Sequence, residues 1–176
     1  MNNNKLIFLS YNVGCSKSLA GLNQLLDMYK PSFVFLQEIL MNSANLTSLL
    51  GHSYKGISNI DTLDLNKPGT ACIWRSHLNV EVSNIVSCRT QILKFNDLAF
   101  INIYAPSGTQ NQRARRQLFG EYLLNELSSF GIQINQFFAV IGTVWFAHKI
   151  SQAMSPVSPP NKLVQIPLIT RKNQKN

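Results

Sequence analysis

The chain has 176 residues, about the length of one domain, with 45% apolar residues, a mean hydropathy near zero and a formal net charge of +8. That composition excludes an intrinsically disordered chain and fits a protein that buries a core. The charge is uneven: residues 143–176 carry Lys149, Lys162, Arg171, Lys172 and Lys175 and no acidic residue. A mildly basic body suits an anionic partner such as nucleic acid without requiring one.

Cys15, Cys72 and Cys88 are odd in number and show no CxxC spacing, which argues against a disulfide framework and a zinc site. They are expected to be reduced core thiols with no disulfide partner. The N-terminus lacks the apolar region and small-residue cleavage site of a signal peptide. The longest mainly apolar stretch, residues 137–147, is about half of the ~20 residues a membrane-spanning helix needs. The expectation is a soluble intracellular protein, cytoplasmic or nuclear, with no membrane partner.

Residues 5–13 read as a buried strand ending at Gly14. A helix follows, capped by Ser16 or Ser18, with Leu19, Leu22, Leu25, Leu26 and Tyr29 at helical spacing and Lys30-Pro31 stopping it. Phe33–Leu36 is a continuous apolar strand, so the opening predicts strand, helix, strand with parallel neighbours. A short second helix, with Ser43 as cap and Gly51 as terminator, precedes a loop over residues 56–69.

Strands are then predicted at residues 70–75, 80–86, 89–95 and 98–104, with Asn96-Asp97 suiting a two-residue hairpin turn of positive φ. A helix is expected from about Gln110 to Phe130, capped by Thr109 and ended by Gly131, before a buried strand at residues 137–141. Beyond Gly142, Pro156, Pro159, Pro160 and Pro167 crowd the sequence. Residues 143–176 are therefore read as a basic, proline-containing, disordered tail with no packed element, after a domain spanning residues 1–142. No internal repeat is present.

Glu38 follows a buried apolar strand, where open α/β sheets place ligand sites, although a solvated carboxylate there would be ordinary. Asn12 lies at another strand end, where a turn residue is the bland alternative. Tyr104 ends a third. Three polar groups at three strand ends could converge on one edge of a sandwich.

The ordered motifs Leu9-Ser10-Tyr11-Asn12-Val13, Lys30-Pro31-Ser32-Phe33-Val34-Phe35-Leu36-Gln37-Glu38, Gly69-Thr70-Ala71-Cys72-Ile73 and Asn102-Ile103-Tyr104-Ala105-Pro106-Ser107-Gly108 resemble the endonuclease/exonuclease/phosphatase family. The likeness is greatest to the endonuclease domains of LINE-type non-LTR retrotransposons. Arg115-Arg116-Gln117-Leu118-Phe119 is similar to that family's following helix start, and the resemblance covers about residues 5–142. It implies an α/β fold, a four-layer α/β/β/α sandwich, expected here to be incomplete at its C-terminal end.

By the same resemblance, Glu38 is the metal-ligand glutamate, Asn12 lies beside metal and phosphate, Tyr104 positions the phosphate, and Arg115 and Arg116 contact nucleic acid. Mg²⁺ is the implied cofactor and DNA the implied partner. Mg²⁺ prefers oxygen ligands and is commonly held by one or two carboxylates while keeping several waters.

The chain departs from the family after residues 137–141. Where the family runs into Gly-Gly-Asp-Phe-Asn, this sequence reads Gly142-Thr143-Val144-Trp145-Phe146, so Val144 and Phe146 stand at the two functional positions. The family's Ser-Asp-His motif is expected on the order of 70–100 residues later, beyond the last residue. His148, His52 and His77 suggest no substitute. The resulting expectation is a Mg²⁺-dependent phosphodiester-hydrolysing endonuclease domain by family, inactive or crippled. The alternatives are a nucleic-acid-binding pseudo-nuclease, whose arginines could equally be a solvated helix face, and a phosphatase of the same fold.

Overall fold

The structure, a computed structural model, describes residues 5–15, 19, 21–84, 88–96, 98–105, 111, 113, 137–141, 144–147 and 162–167. Strand β1 (Lys5–Asn12), helix α1 (Leu22–Tyr29) and strand β2 (Phe33–Ile39) form the expected crossover, with β1 and β2 parallel. Helix α2 (Ser43–Leu50), β3 (Tyr54–Asn59) and β4 (Gly69–Arg75) follow, then β5 (Glu81–Asn84), β6 (Thr90–Phe95) and β7 (Leu98–Ile103). The last strands are β8 (Phe137–Ile141), β9 (Val144–Ala147) and β10 (Lys162–Pro167).

The first sheet has the order β10-β1-β2-β4-β3 and the second β5-β6-β7-β8-β9. Alternation along the strands builds two cores. Phe8, Phe33, Phe35 and Cys72 face the second sheet and pack with its Leu93 and Phe100. Leu9, Val34, Leu36, Ala71 and Ile73 face the other way, against Leu22 and Leu26 of α1 and Leu46 and Leu50 of α2. A period of two on both faces is what a sheet buried on both sides requires. Three layers of the sandwich are thus described. The helix expected over residues 110–130 lies outside the described residues but for Asn111 and Arg113.

Local chemistry shifts some boundaries. Helix α1 begins at Leu22 behind Gly21, whose φ of 87° takes the chain into the helix without a side-chain cap; the expected caps Ser16 and Ser18 lie outside the described residues. Lys30 closes α1 in the left-handed region, its N–H bonded to Leu26 O. Asn42, not Ser43, caps α2, accepting from Asn45 N at 2.9 Å. Ser43 is the first helical residue, and its hydroxyl instead meets β3 at Ser58. Asn96 has the expected positive φ, 52°, and Phe95 pairs with Leu98, while Asp97 lies outside the described residues.

Two pieces of the expected tail are strands. Val144–Ala147 pairs antiparallel with β8, and Lys162–Pro167 pairs antiparallel with β1 from Lys5↔Pro167 to Ser10↔Lys162. Proline at an edge-strand end is compatible with a ladder, because the missing N–H is needed only in a central strand. Among the described residues no helix is long and apolar enough to cross a membrane. Cys72 and Cys88 are buried, as expected of core thiols, whereas Cys15 is exposed.

Candidate active site

Asn12 is the last residue of β1, Glu38 the next-to-last of β2, and Tyr104 follows β7 directly. Parallel pairing of β1 with β2 sets their C-terminal ends side by side, with Asn12 opposite Gln37. Asn12 Nδ2 donates to Glu38 Oε1 at 2.9 Å, while its Oδ1 accepts from Gly14 N at 2.9 Å. Both ends of the Asn12 carboxamide are therefore fixed.

Glu38 does not lie past the strand, as its sequence position suggests. It sits within β2, at a register shift between Gln37 and Ile39 against β4, with φ 59°. This is a β-bulge carried by a non-glycine residue in the left-handed region, a conformation that persists only where the surroundings over-determine it. The next pair beyond the bulge is Ile39 with Gly69, and a Cβ on Gly69 would stand 2.0 Å from Asn59 O. Only glycine lets β3 and β4 approach so closely beside the bulge.

Tyr104 N donates to Arg89 O at 2.8 Å, extending the β6–β7 ladder by one step. The Arg89 guanidinium lies 4.7 Å from the Tyr104 ring centroid, in cation–π range. Burial and then the Glu38 charge push the Tyr104 phenol above its ordinary value, with Arg89 opposing. Tyr104 thus lies within the electrostatic reach of both Glu38 and Arg89. The Cys15 thiol, 3.5 Å from Glu38 Oε2, is likewise raised, by local loss of hydration first and by Glu38 second, although the residue as a whole is exposed.

Below this rim lies a buried polar network. Asn102 Nδ2 donates to Leu36 O at 3.0 Å and Ala71 O at 2.9 Å, and its Oδ1 accepts from Gln37 Nε2 at 2.8 Å. Gln37 also lies 3.3 Å from Ser10 Oγ. Further along the same seam, Asn59 Nδ2 donates to Thr90 O and Thr70 Oγ1 to Cys88 O, again crossing between sheets. The edge that carries Glu38 is stitched by hydrogen bonds, whereas the opposite stretch is packed by phenylalanines.

The structure thus brings Asn12, Glu38 and Tyr104 to one edge; Arg115 and Arg116 lie outside the described residues. Sequence reading did not single out Arg89, Gln37 or Asn102 for the site. Asn102 left a signal, an amide inside the apolar run Leu98–Ile103. Arg89 left none. Among the described residues no group of three or more His, Cys, Asp or Glu could hold a metal.

By sequence, no protein-family profile matches the chain, and neither does any curated protein. Solved structures do match by shape. An AP endonuclease, LMAP from Leishmania major, superposes with a TM-score of 0.58 at 16% identity, over 79% of this chain and 55% of that one. The 3′-5′ exonuclease NExo from Neisseria meningitidis gives 0.57 at 16% identity, over 78% and 57%. The endonuclease domain of TRAS1, a telomere-specific non-LTR retrotransposon, gives 0.53 at 10% identity, over 78% and 58%.

The chain has the endonuclease/exonuclease/phosphatase fold. It spans less than two thirds of the length of each of these structures. Ile141 pairs with Val144 and Ala139 with Phe146, so the two positions where the resemblance expects Asp and Asn belong to strand β9.

Proposed function

We propose that the chain is a DNA-directed phosphodiesterase domain of the nuclease type whose hydrolytic step is crippled. The observation that carries this reading is the meeting of Asn12, Glu38 and Tyr104 at the C-terminal ends of three strands, the placement their motifs imply. The similar folds add support, since they include an AP endonuclease, a retrotransposon endonuclease domain and a NExo 3′ phosphatase solved bound to a product DNA hairpin.

The residues present fit a hydrated Mg²⁺ and not an all-protein cage. Glu38 supplies one carboxylate, and Asn12 is already tied to it; Mg²⁺ sites commonly use one or two carboxylates and complete the shell with water and substrate phosphate. Glu38 would hold the ion with Asn12 beside it, and weak affinity is expected. Bound there, the ion supplies Lewis-acid polarisation of a phosphoryl oxygen. Tyr104, neutral, donates a hydrogen bond to a phosphate oxygen, and Arg89 adds fixed positive charge behind it.

Val144 and Phe146 cannot polarise water. General acid–base assistance is worth ~10²–10⁴-fold, so its absence leaves phosphate binding with little turnover. The test is nicking of supercoiled plasmid in Mg²⁺ alongside DNA binding by fluorescence anisotropy. Binding that weakens in Glu38→Ala, with nicking at background, is the expected result. Robust nicking that disappears in Glu38→Ala would overturn the crippled step, and absence of DNA binding would overturn the partner.

A further inference from the structure

The left-handed Glu38 needs a cause. A residue with a Cβ occupies this region at a cost, and it stays there only if neighbouring groups leave no alternative. On β2 the last regular pairs with β4 before the slip are Leu36↔Ala71 and Gln37↔Thr70. Asn102, 0% exposed and reaching across from the second sheet, spends both its N–H groups on the carbonyls of that Leu36–Ala71 pair. Its remaining oxygen holds the side chain of Gln37, the residue immediately before Glu38.

Gln37, also 0% exposed, is fixed by further contacts to Phe35 O at 3.2 Å and Ser10 Oγ at 3.3 Å. Its backbone carbonyl accepts from Val13 N at 3.0 Å, which ties the end of β1 to the same peptide. One carboxamide therefore clasps both strands at the point where their register breaks. Only an amide does this, because the site asks for two donors and one acceptor in one plane.

We propose that Asn102 is a positioning residue, which locks the β2 bulge and so aims the Glu38 carboxylate at Asn12 and the phosphate site. The proposal rests on the reading of Glu38 as the metal and phosphate carboxylate. Tyr104 lies two residues further along the chain, directly after β7, so a single β7 strand end sets both partners of the site. Buried polar networks of this sort specify one arrangement, because any other leaves a donor or acceptor unpaired.

The test uses NMR on the full chain. In the unsubstituted protein the Asn102 side-chain amide protons should exchange with solvent at the same slow rate as the Val13 N–H that reports on Gln37. Asn102→Leu, branched at the same carbon but without donors, should remove the left-handed signature of Glu38 in its Cα shift and coupling constants while the far-UV spectrum persists. Mn²⁺ line broadening at Asn12 and Glu38, present in the unsubstituted chain, should fall at least tenfold in the variant.

Retention of the left-handed Glu38 signature in Asn102→Leu would overturn the proposal. If that variant does not fold, the exchange comparison decides, and fast exchange of the Asn102 amide beside a protected Val13 N–H overturns it. Loss of the signature with no Mn²⁺ broadening in either protein would uphold the positioning role and defeat the metal reading instead.

Discussion

Glu38 carries its carboxylate on a backbone that glycine would adopt more readily, and this separates its role in the site from its role in stability. A left-handed residue with a Cβ costs ~1–2 kcal/mol, while glycine's extra freedom in the unfolded chain returns about half of that. Glu38→Gly is therefore expected to be about 0.5–1 kcal/mol more stable than Glu38→Ala in urea denaturation, although both lose the carboxylate. Equal stabilities would mean that φ at residue 38 is not positive in solution. A second expectation concerns Tyr104, whose phenol is raised by burial and then by Glu38, with Arg89 pulling the other way. In an absorbance titration, Glu38→Gln should lower its pKa and Arg89→Gln should raise it. Because the folded pKa is the higher one, the neutral phenol contributes stability that is complete below the unfolded value of about 10 and is lost as pH rises through the folded value. At this scale the placement of Asn12, Glu38 and Tyr104 at the ends of three strands was legible, since apolar runs stop beside each of them. The bulge was not legible, because nothing in Leu36-Gln37-Glu38-Ile39 forces a register slip that arises from a partner 65 residues away.

Among the elements, those with a continuous apolar face were readable and those defined by a partner were not. Strand β3, Tyr-Lys-Gly-Ile-Ser-Asn, has too few apolar residues to announce itself, and its last four residues fall in the loop expected over residues 56–69. Its pairing with β4 makes it a strand, and Gly56 lets it lie against Leu46 and Leu50 of α2. Strand β9 was hidden by the prolines that follow it, although residues 137–147 form one apolar stretch that the structure divides into two antiparallel strands. This division decides how the site could be repaired. Val144→Asp with Phe146→Asn restores the residue types that the resemblance expects, yet both positions lie in a ladder, opposite Ile141 and Ala139. The double variant is expected to leave plasmid nicking at background and to lower the thermal midpoint, because Asp and Asn are poor strand residues. Nicking restored well above that of the unsubstituted chain would show that the segment reaches the site as a loop.

Across the whole molecule, stability comes from what the two sheets share. Phe100 of the second sheet stands 4.9 Å from Phe8, 5.5 Å from Phe33 and 6.2 Å from Phe35. Strand β7 is closed on both sides by β6 and β8, and Ala99 through Ile103 are buried. Phe100→Ala should accordingly cost about 3–5 kcal/mol, measured by urea denaturation, as for a core phenylalanine that leaves a cavity.

The remaining exposure is at the edges, where β10 makes a difference that composition concealed. It pairs with β1 over six residues, from Lys5↔Pro167 to Ser10↔Lys162, and so gives β1 a neighbour on the side away from β2. Each ladder hydrogen bond contributes only about 0.5–1.5 kcal/mol net, but an unpaired edge also offers its N–H and C=O groups to another chain. β1 is a poor strand to leave open, since it carries Asn12 at one end and Phe8 in the inter-sheet core. Removing residues 161–176 is therefore expected to lower the urea midpoint and to produce concentration-dependent association in size-exclusion chromatography. A Lys in place of Ile7, which is only half-buried, should reduce that association without restoring the midpoint, because a charge on an edge discourages edge-to-edge pairing while adding no strand. A shortened chain that stays monomeric with an unchanged midpoint would mean that β10 does not hold the β1 edge in solution.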